Sequence, residues 1–356
     1  MNSLPLHQGP DWECHPNDFI KRFFQLSKKR VVMVCSADVK KTKITETGKL
    51  HMSKAAELKF DIKSTIMLLL LAAVWGGSFF FGEVALKEVP PLTITLHRVV
   101  WAVPILAVIV FLNGIVIPRS LSVWGAYLVM GALNNAIPFS LIFWGQTQIA
   151  SGLAAILNGT TAMFAAVVAG CLLVDEPLTA KKIVGAALGI AGVAFIMGPS
   201  ALTDFNPSNL AQLAILGATL SYAFAGVWGK TALAGQTPLM NALGMLVGST
   251  LLMIPVVLVF DGPPNLELSA SVWGALFGMA ALSTAMAYVL YFAILVRAGT
   301  ANLLLVTLLI PPFAIGLGVL FLGEKMEPDA WIGFAIIVLG FAVTDGRLFS
   351  IFSKNP

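Results

Sequence analysis

WGAYLVMGALNNAIPFSLIFWG (124–145) and WGALFGMAALSTAMAYVLYFAI (273–294) lie 149 residues apart and read as two copies of one segment. Both open on Trp-Gly-Ala and run on as apolar residues for more than 20 positions. That length suffices for a helix to cross the hydrocarbon core of a bilayer. In the middle of each copy the apolar pattern is broken by an adjacent polar pair, Asn134-Asn135 in the first and Ser283-Thr284 in the second. An unpaired polar group moved from water into hydrocarbon costs roughly 2–7 kcal/mol, so two such pairs at one depth call for a common explanation.

The match extends along the chain in both directions. WGGSFFFGE (75–83) lies over YAFAGVWGK (222–230) at an offset of 147. Ser151-Gly152-Leu153 lies over Thr300-Ala301-Asn302, and CLLVDEPL (171–178) over LFLGEKMEP (320–328) with one residue of slippage. Similarity that recurs in order at a near-constant period is the mark of duplication. The composition of the 356 residues agrees with a chain immersed in lipid: 58% are apolar and 11% charged, against about 25% charged in soluble domains. Windows of membrane-spanning length fall at 64–82, 92–113, 121–147, 151–174, 180–198, 209–233, 238–260, 270–296, 299–323 and 329–346. The fold expected is therefore all-α and integral to the membrane, with ten transmembrane helices in two repeats of five, 64–198 and 209–346. A linker (199–208), a basic N-terminal tail (1–63) and a short C-terminal tail (347–356) complete it.

An odd number of spans per copy inserts the second copy upside down relative to the first. Lys and Arg in short connections mark the cytoplasmic side. Lys63, Arg119, Lys181, Lys182, Lys230, Arg297 and Arg347 all fall on the side of the N-terminus, whereas the opposite side holds Lys87 and Lys325. Both termini are expected in the cytoplasm, and the chain in the inner (plasma) membrane. Of the 22 Lys and Arg, eleven lie in residues 1–60. A charge concentrated in a tail argues against a nucleic-acid-binding face. DFIKRFFQLSKKR (18–30) is basic and partly amphipathic, compatible with a solvated tail or with the surface of an anionic membrane; a start of translation at Met52 is a further reading.

Catalytic signals are weak. Cys14, Cys35 and Cys171 form no ligand spacing with His7, His15, His51 or His97, and no HExxH, GxSxG or phosphate-binding glycine loop occurs. No catalytic residue, metal or cofactor is expected. The partners expected are a small-molecule substrate and the lipid bilayer, with no nucleic acid; a coupling ion and a homo-oligomer are left open.

The ten spans, the WGGSFFF start (75–81), the helix-ending VDEPLT (174–179) and LGEKMEP (322–328) and the duplicated halves resemble the EamA branch of the drug/metabolite transporter superfamily. The resemblance covers about residues 64–346. It implies a secondary carrier of a small organic metabolite, an amino acid or derivative above all, working by alternating access and toward export. A nucleotide-sugar or drug/cation carrier of the same superfamily is the alternative, and a non-transporting membrane protein a more distant one. One departure is that Pro311-Pro312 in the second half faces Ala162-Met163 in the first.

Substrate sites in inverted-repeat carriers lie near the midplane between the halves. The candidate lining is Asn134, Asn135, Asn158, Ser283, Thr284, Tyr288, Tyr291 and Thr307, with the aromatics Trp75, Tyr222 and Trp228 and the cation Arg98. For the asparagines and their counterparts the competing reading is interhelical bonding. For Arg98 the readings are an anchor for a substrate carboxylate, an arginine reaching the headgroups, or a partner of Glu83. Gly185/Gly189 and Gly244/Gly248 are spaced for close helix approach within the bundle.

Overall fold

The computed structural model describes residues 62–174, 176–197, 207–303 and 305–345. The N-terminal tail to residue 61, Asp175, the linker from 198 to 206 and the C-terminal tail lie outside the described residues. Among the described residues all regular structure is helical. The elements are α1 (Ile62–Ala85), α2 (Pro91–Leu112), α3 (Leu121–Gln146), α4 (Ser151–Leu172), α5 (Ala180–Met197), α6 (Pro207–Ala232), α7 (Pro238–Phe260), α8 (Ala270–Leu303), α9 (Val306–Leu322) and α10 (Pro328–Asp345). Seven helices, α1–α4 and α6–α8, are long and apolar enough to cross a membrane. The apolar stretches of α9 and α10 are shorter.

The sequence explains most helix ends. α2, α6, α7 and α10 begin on Pro91, Pro207, Pro238 and Pro328, where the missing N–H forfeits no helical bond and the ring presets φ. Gly114 after α2 and Gly262 after α7, equivalent positions in the two copies, are left-handed (φ 63° and 81°), as is Gly323 after α9 (φ 67°). Glycine adopts this region without steric cost and so ends a helix. One boundary differs from the sequence expectation. The helix Ala287–Leu303 runs straight through the split placed at 296–299, and the break comes only before Val306. No proline or positive-φ glycine stands at 296–299 to stop it.

The duplication reappears in the backbone. α3 and α8 each carry one wide, π-helical turn, at Ala132–Ala136 and Ala281–Met286, which are the two polar pairs of the repeat. Packing follows the same two-fold exchange. α3 lies on α7 as α8 lies on α2, α1 packs on α9 as α6 packs on α4, and α1 meets α8 as α6 meets α3, while α5 pairs with α10.

Glycines set the closest approaches. On α5 and α10, Gly185, Gly189 and Gly192 meet Gly333 and Gly340 with backbone against backbone; the carbonyl of Gly192 lies 2.8 Å from where a Cβ on Gly333 would sit. Gly244 and Gly248 of α7 lie against Tyr127 and Leu128 of α3. Both spaced glycine pairs are thus used inside this chain. Side chains at the far ends fasten the loops: Asp261 Oδ2, after α7, accepts from Thr93 N (3.0 Å) and Thr93 Oγ1 (2.8 Å) in the first turn of α2. The Glu88 carboxylate accepts from Ser269 N (2.8 Å), and these Ser269 hydrogen bonds hold it below the usual carboxylate range.

A methyl group at Gly131 would sit 2.6 Å from Met245 O and 2.9 Å from Gly248 C, inside the α3–α7 contact, whereas Gly274 has open space. Gly131→Ala is expected to destabilise by about 1–3 kcal/mol, the usual cost of overpacking. Gly274→Ala should leave the thermal midpoint within a degree or two. Equal midpoints for the two purified variants would contradict the α3–α7 packing.

Candidate functional site

The site is built on the π turns of α3 and α8; a third π turn, Gly318–Leu322, ends α9 away from them in sequence. A π turn contains one residue more than a regular helical turn and releases backbone carbonyls from the helical ladder, a device common at functional sites. Here the released groups are taken up by the other half of the chain. In α3, Leu133 O accepts from Ser221 Oγ of α6 (2.7 Å). In α8, the π-turn residue Ser283 donates its hydroxyl to Val74 O of α1. Val74 and Ser221 are themselves equivalent at the offset of 147, so the same position of α1 and α6 bonds to the π turn of the facing helix, at neighbouring residues of the two turns.

The second latch is also paired. Asn135 is completely buried; its Nδ2 donates to Ser249 Oγ (3.2 Å) and Met245 O (3.5 Å) of α7, and its Oδ1 accepts from Tyr288 OH (3.2 Å). Asn134 keeps part of its surface accessible and donates to Tyr288 OH (3.2 Å) and Asn135 Oδ1 (3.4 Å). In the other copy, Arg98 of α2 takes the place of Met245. Its Nη1 donates to Ser78 Oγ (2.7 Å), its Nε to Thr284 Oγ1 (3.1 Å) and its Nη2 to Ser283 O (3.5 Å).

Arg98 is 7% exposed, and its guanidinium carbon lies over Phe139, 3.7 Å from the ring centroid. A cation stacked on an aromatic face in a desolvated place gains about 2 kcal/mol or more. Among the described residues no carboxylate lies within ion-pair distance of Arg98; the ion pair formed is Lys230–Glu176 (2.6 Å). Glu83, the sequence candidate for its partner, instead accepts from Gln146 Nε2 (3.4 Å). Nor does Arg98 reach out to headgroups. It is a buried, polar-bonded positive charge without an anion, and three of its five N–H donors are engaged.

Around it stand aromatic side chains set deep in the bundle yet partly accessible: Tyr222 and Tyr288, both within electrostatic reach of Arg98, and Tyr291. Trp75 closes on Tyr291 with ring centroids 6.0 Å apart, and Tyr288 stacks on Phe292. Tyr222 packs against both large apolar clusters and so stands between them.

Of the twelve sequence candidates, Arg98, Asn134, Asn135, Ser283, Thr284, Tyr222, Tyr288, Tyr291 and Trp75 come together. Asn135, Ser283 and Thr284 are fully buried and hold helices in place; the accessible edge of the group belongs to Asn134, the tyrosines and Trp75. The others stand apart from this linked group. Trp228 donates its indole N–H to Ala126 O (3.0 Å) on α3, a packing role. Asn158 adjoins the break in α4 beside Thr307 of α9, and its Oδ1 has no hydrogen-bond partner. Ser78, Phe139 and Ser249 were missed. Phe139 and Phe143 follow Asn135 at i+4 and i+8 on one helix face, a legible signal. Ser78 and Ser249 carry none beyond being small and polar.

Residues 62–198 and 209–344 each match the pattern of the EamA-like transporter family. The uncharacterized transporter YoaV of Bacillus subtilis (strain 168) is 24% identical over 282 residues, 78% of this chain and 95% of that protein. An Escherichia coli (strain K12) protein named "Probable amino-acid metabolite efflux pump" is 25% identical, over 79% of this chain and 94% of its own length. A solved structure titled only "Crystal structure of protein" superposes with a TM-score of 0.60 at 17% identity, covering 82% of this chain and 99% of that one, a likeness of fold. With both halves matched and their order in the chain preserved, this protein belongs to the EamA-like transporter family.

Proposed function

We propose that the chain is a secondary carrier of a small carboxylate-bearing metabolite, an amino acid or a derivative, exported by alternating access. The observation that carries this reading is Arg98: a positive charge held between Ser78, Thr284 and Phe139, beside the partly accessible Tyr222 and Tyr288, with no carboxylate partner among the described residues. An ionised side chain inside a membrane protein is costly and marks a substrate or ion path by default. A substrate carboxylate would supply the missing charge through a forked hydrogen bond. Asn134 and Tyr288 offer polar edges for an amino or amide group, and Trp75, Tyr222 and Tyr291 a wall for its side chain. The relative named for amino-acid metabolite efflux supports both the class and the direction.

In this reading all ten helices cross the inner membrane, the two halves are inverted and both termini are cytoplasmic. The paired π turns and the two-fold packing support inversion, since each half supplies the element that latches the other. No residue is assigned to catalysis and no cofactor is required.

Two outcomes are expected. In proteoliposomes loaded with an amino-acid panel, the wild type should prefer a free carboxylate over the matching amide by tenfold or more. Arg98→Gln should erase that preference, losing about 2–5 kcal/mol, roughly 30-fold or more in apparent affinity. Retention of the preference by a folded Arg98→Gln protein would remove the arginine from the binding site. In a cysteine-free background, Lys87→Cys and Lys325→Cys should react with impermeant maleimide from outside intact cells, and Lys182→Cys only after permeabilisation. The opposite pattern at any one position would break the inverted ten-span topology.

A further inference from the structure

The two copies also differ in charge at the equivalent positions 83 and 230. Glu83 of α1 corresponds to Lys230 of α6, 147 residues on, and Glu324 after α9 corresponds to Glu176 after α4, 148 residues on. At one end of the bundle Lys230 Nζ and Glu176 Oε1 form an ion pair at 2.6 Å. At the other end the same two positions hold two acids. Glu324 exerts the largest charge effect on Glu83, larger than that of Lys87 in the turn after α1. Lys325, next to Glu324 in the chain, is exposed.

The oxygens around these acids are unevenly satisfied. Glu324 Oε1 accepts from Ser151 N (2.9 Å) and Oε2 from Gly152 N (3.2 Å), at the start of α4. Ser151 is completely buried, and its Oγ has no hydrogen-bond partner. Gln146, 3% exposed, donates through Nε2 to Phe79 O (2.8 Å) and Glu83 Oε2 (3.4 Å), which leaves its Oε1 unpartnered as well. Two carboxylates and two buried oxygens without a hydrogen-bond partner, one a hydroxyl and one an amide carbonyl, converge between α1, α3, α4 and the end of α9. Buried polar atoms are nearly always paired, and what is lacking here is positive charge.

We propose that Glu83 and Glu324, with Gln146 Oε1 and Ser151 Oγ, bind one monovalent cation, H⁺ or Na⁺, and that this cation does at their end of the bundle what the lysine ammonium does at the other. Like charges side by side disfavour the doubly ionised state, and one bound cation relieves it. The Lys230–Glu176 end closes on a fixed charge, whereas the Glu83–Glu324 end closes only when a cation is present. Opening and closing of the second end is thereby coupled to cation occupancy, whatever solute the central site carries.

The test needs no transported solute, so its failure would leave the Arg98 reading standing. Thermal unfolding of the purified full chain is followed from pH 8.5 to 5.5 in choline chloride, and at pH 8.5 as NaCl replaces choline. The wild-type midpoint is expected to rise by roughly 3–8 °C along one axis; acidification identifies the proton and NaCl identifies Na⁺. For the proton, stability gained at low pH is lost as pH rises through the titration of the folded pair. Glu83→Lys rebuilds here the ion pair of the other end and should abolish the dependence, as should Glu83→Gln. Lys230→Glu should add a second dependence at the opposite end. Carbodiimide modification of Glu83 in the wild type, read by mass spectrometry, examines the site without substitution: protection by NaCl, or modification that rises on acidification, is expected. A wild-type midpoint and a modification rate indifferent to both cations overturn the proposal. So does an undiminished dependence in folded Glu83→Lys and Glu83→Gln.

Discussion

Inside a bilayer a backbone carbonyl that leaves the helical ladder must find a donor in the protein, because water cannot supply one. The two π turns at Ala132–Ala136 and Ala281–Met286 open that ladder at corresponding depths. Each turn draws a donor from the opposite half: Ser221 Oγ of α6 for Leu133 O in α3, and Arg98 Nη2 of α2 for Ser283 O in α8. Thr284 Oγ1 caps Met279 O within α8 itself, and the bonds from the other half tie the two copies together at these turns.

On this duplicated scaffold the chemistry lies in what is not duplicated. Arg98 and Met245 hold equivalent places against the two π turns, and only one is charged. Ser78, which bonds the arginine, corresponds to Ala225, and Phe139, on which it stacks, to Tyr288. The tyrosine turns its hydroxyl to Asn134 and Asn135. An anion-attracting side and a hydrogen-bonding side thus face one another across the pseudo-two-fold.

Much of this was legible in the amino-acid order. Period, helix positions and the depth of the polar pairs follow from the match of 124–145 to 273–294, because a helix in lipid is fixed by length and apolar content alone. The aromatic positions 75 and 222 follow from the same alignment. What could not be read is which partner each polar group would find. Thr284 is 186 residues from Arg98 and Ser249 is 114 from Asn135, and nothing local distinguishes a serine that latches from one that merely fits. The sequence raised Glu83 as a partner for Arg98; α1 instead turns it toward Gln146, beside Glu324. The break after Leu303 was misplaced for a simpler reason: the helical pattern continues through 296–303 with no residue to end it.

The glycine-to-glycine contact of α5 with α10 differs in kind from the side-chain latches at the π turns. Here main chain meets main chain, and separating the helices would open an empty seam along both. A methyl added at Gly192, Gly333 or Gly340 would strike the backbone of the facing helix, so this seam admits no larger residue there without parting.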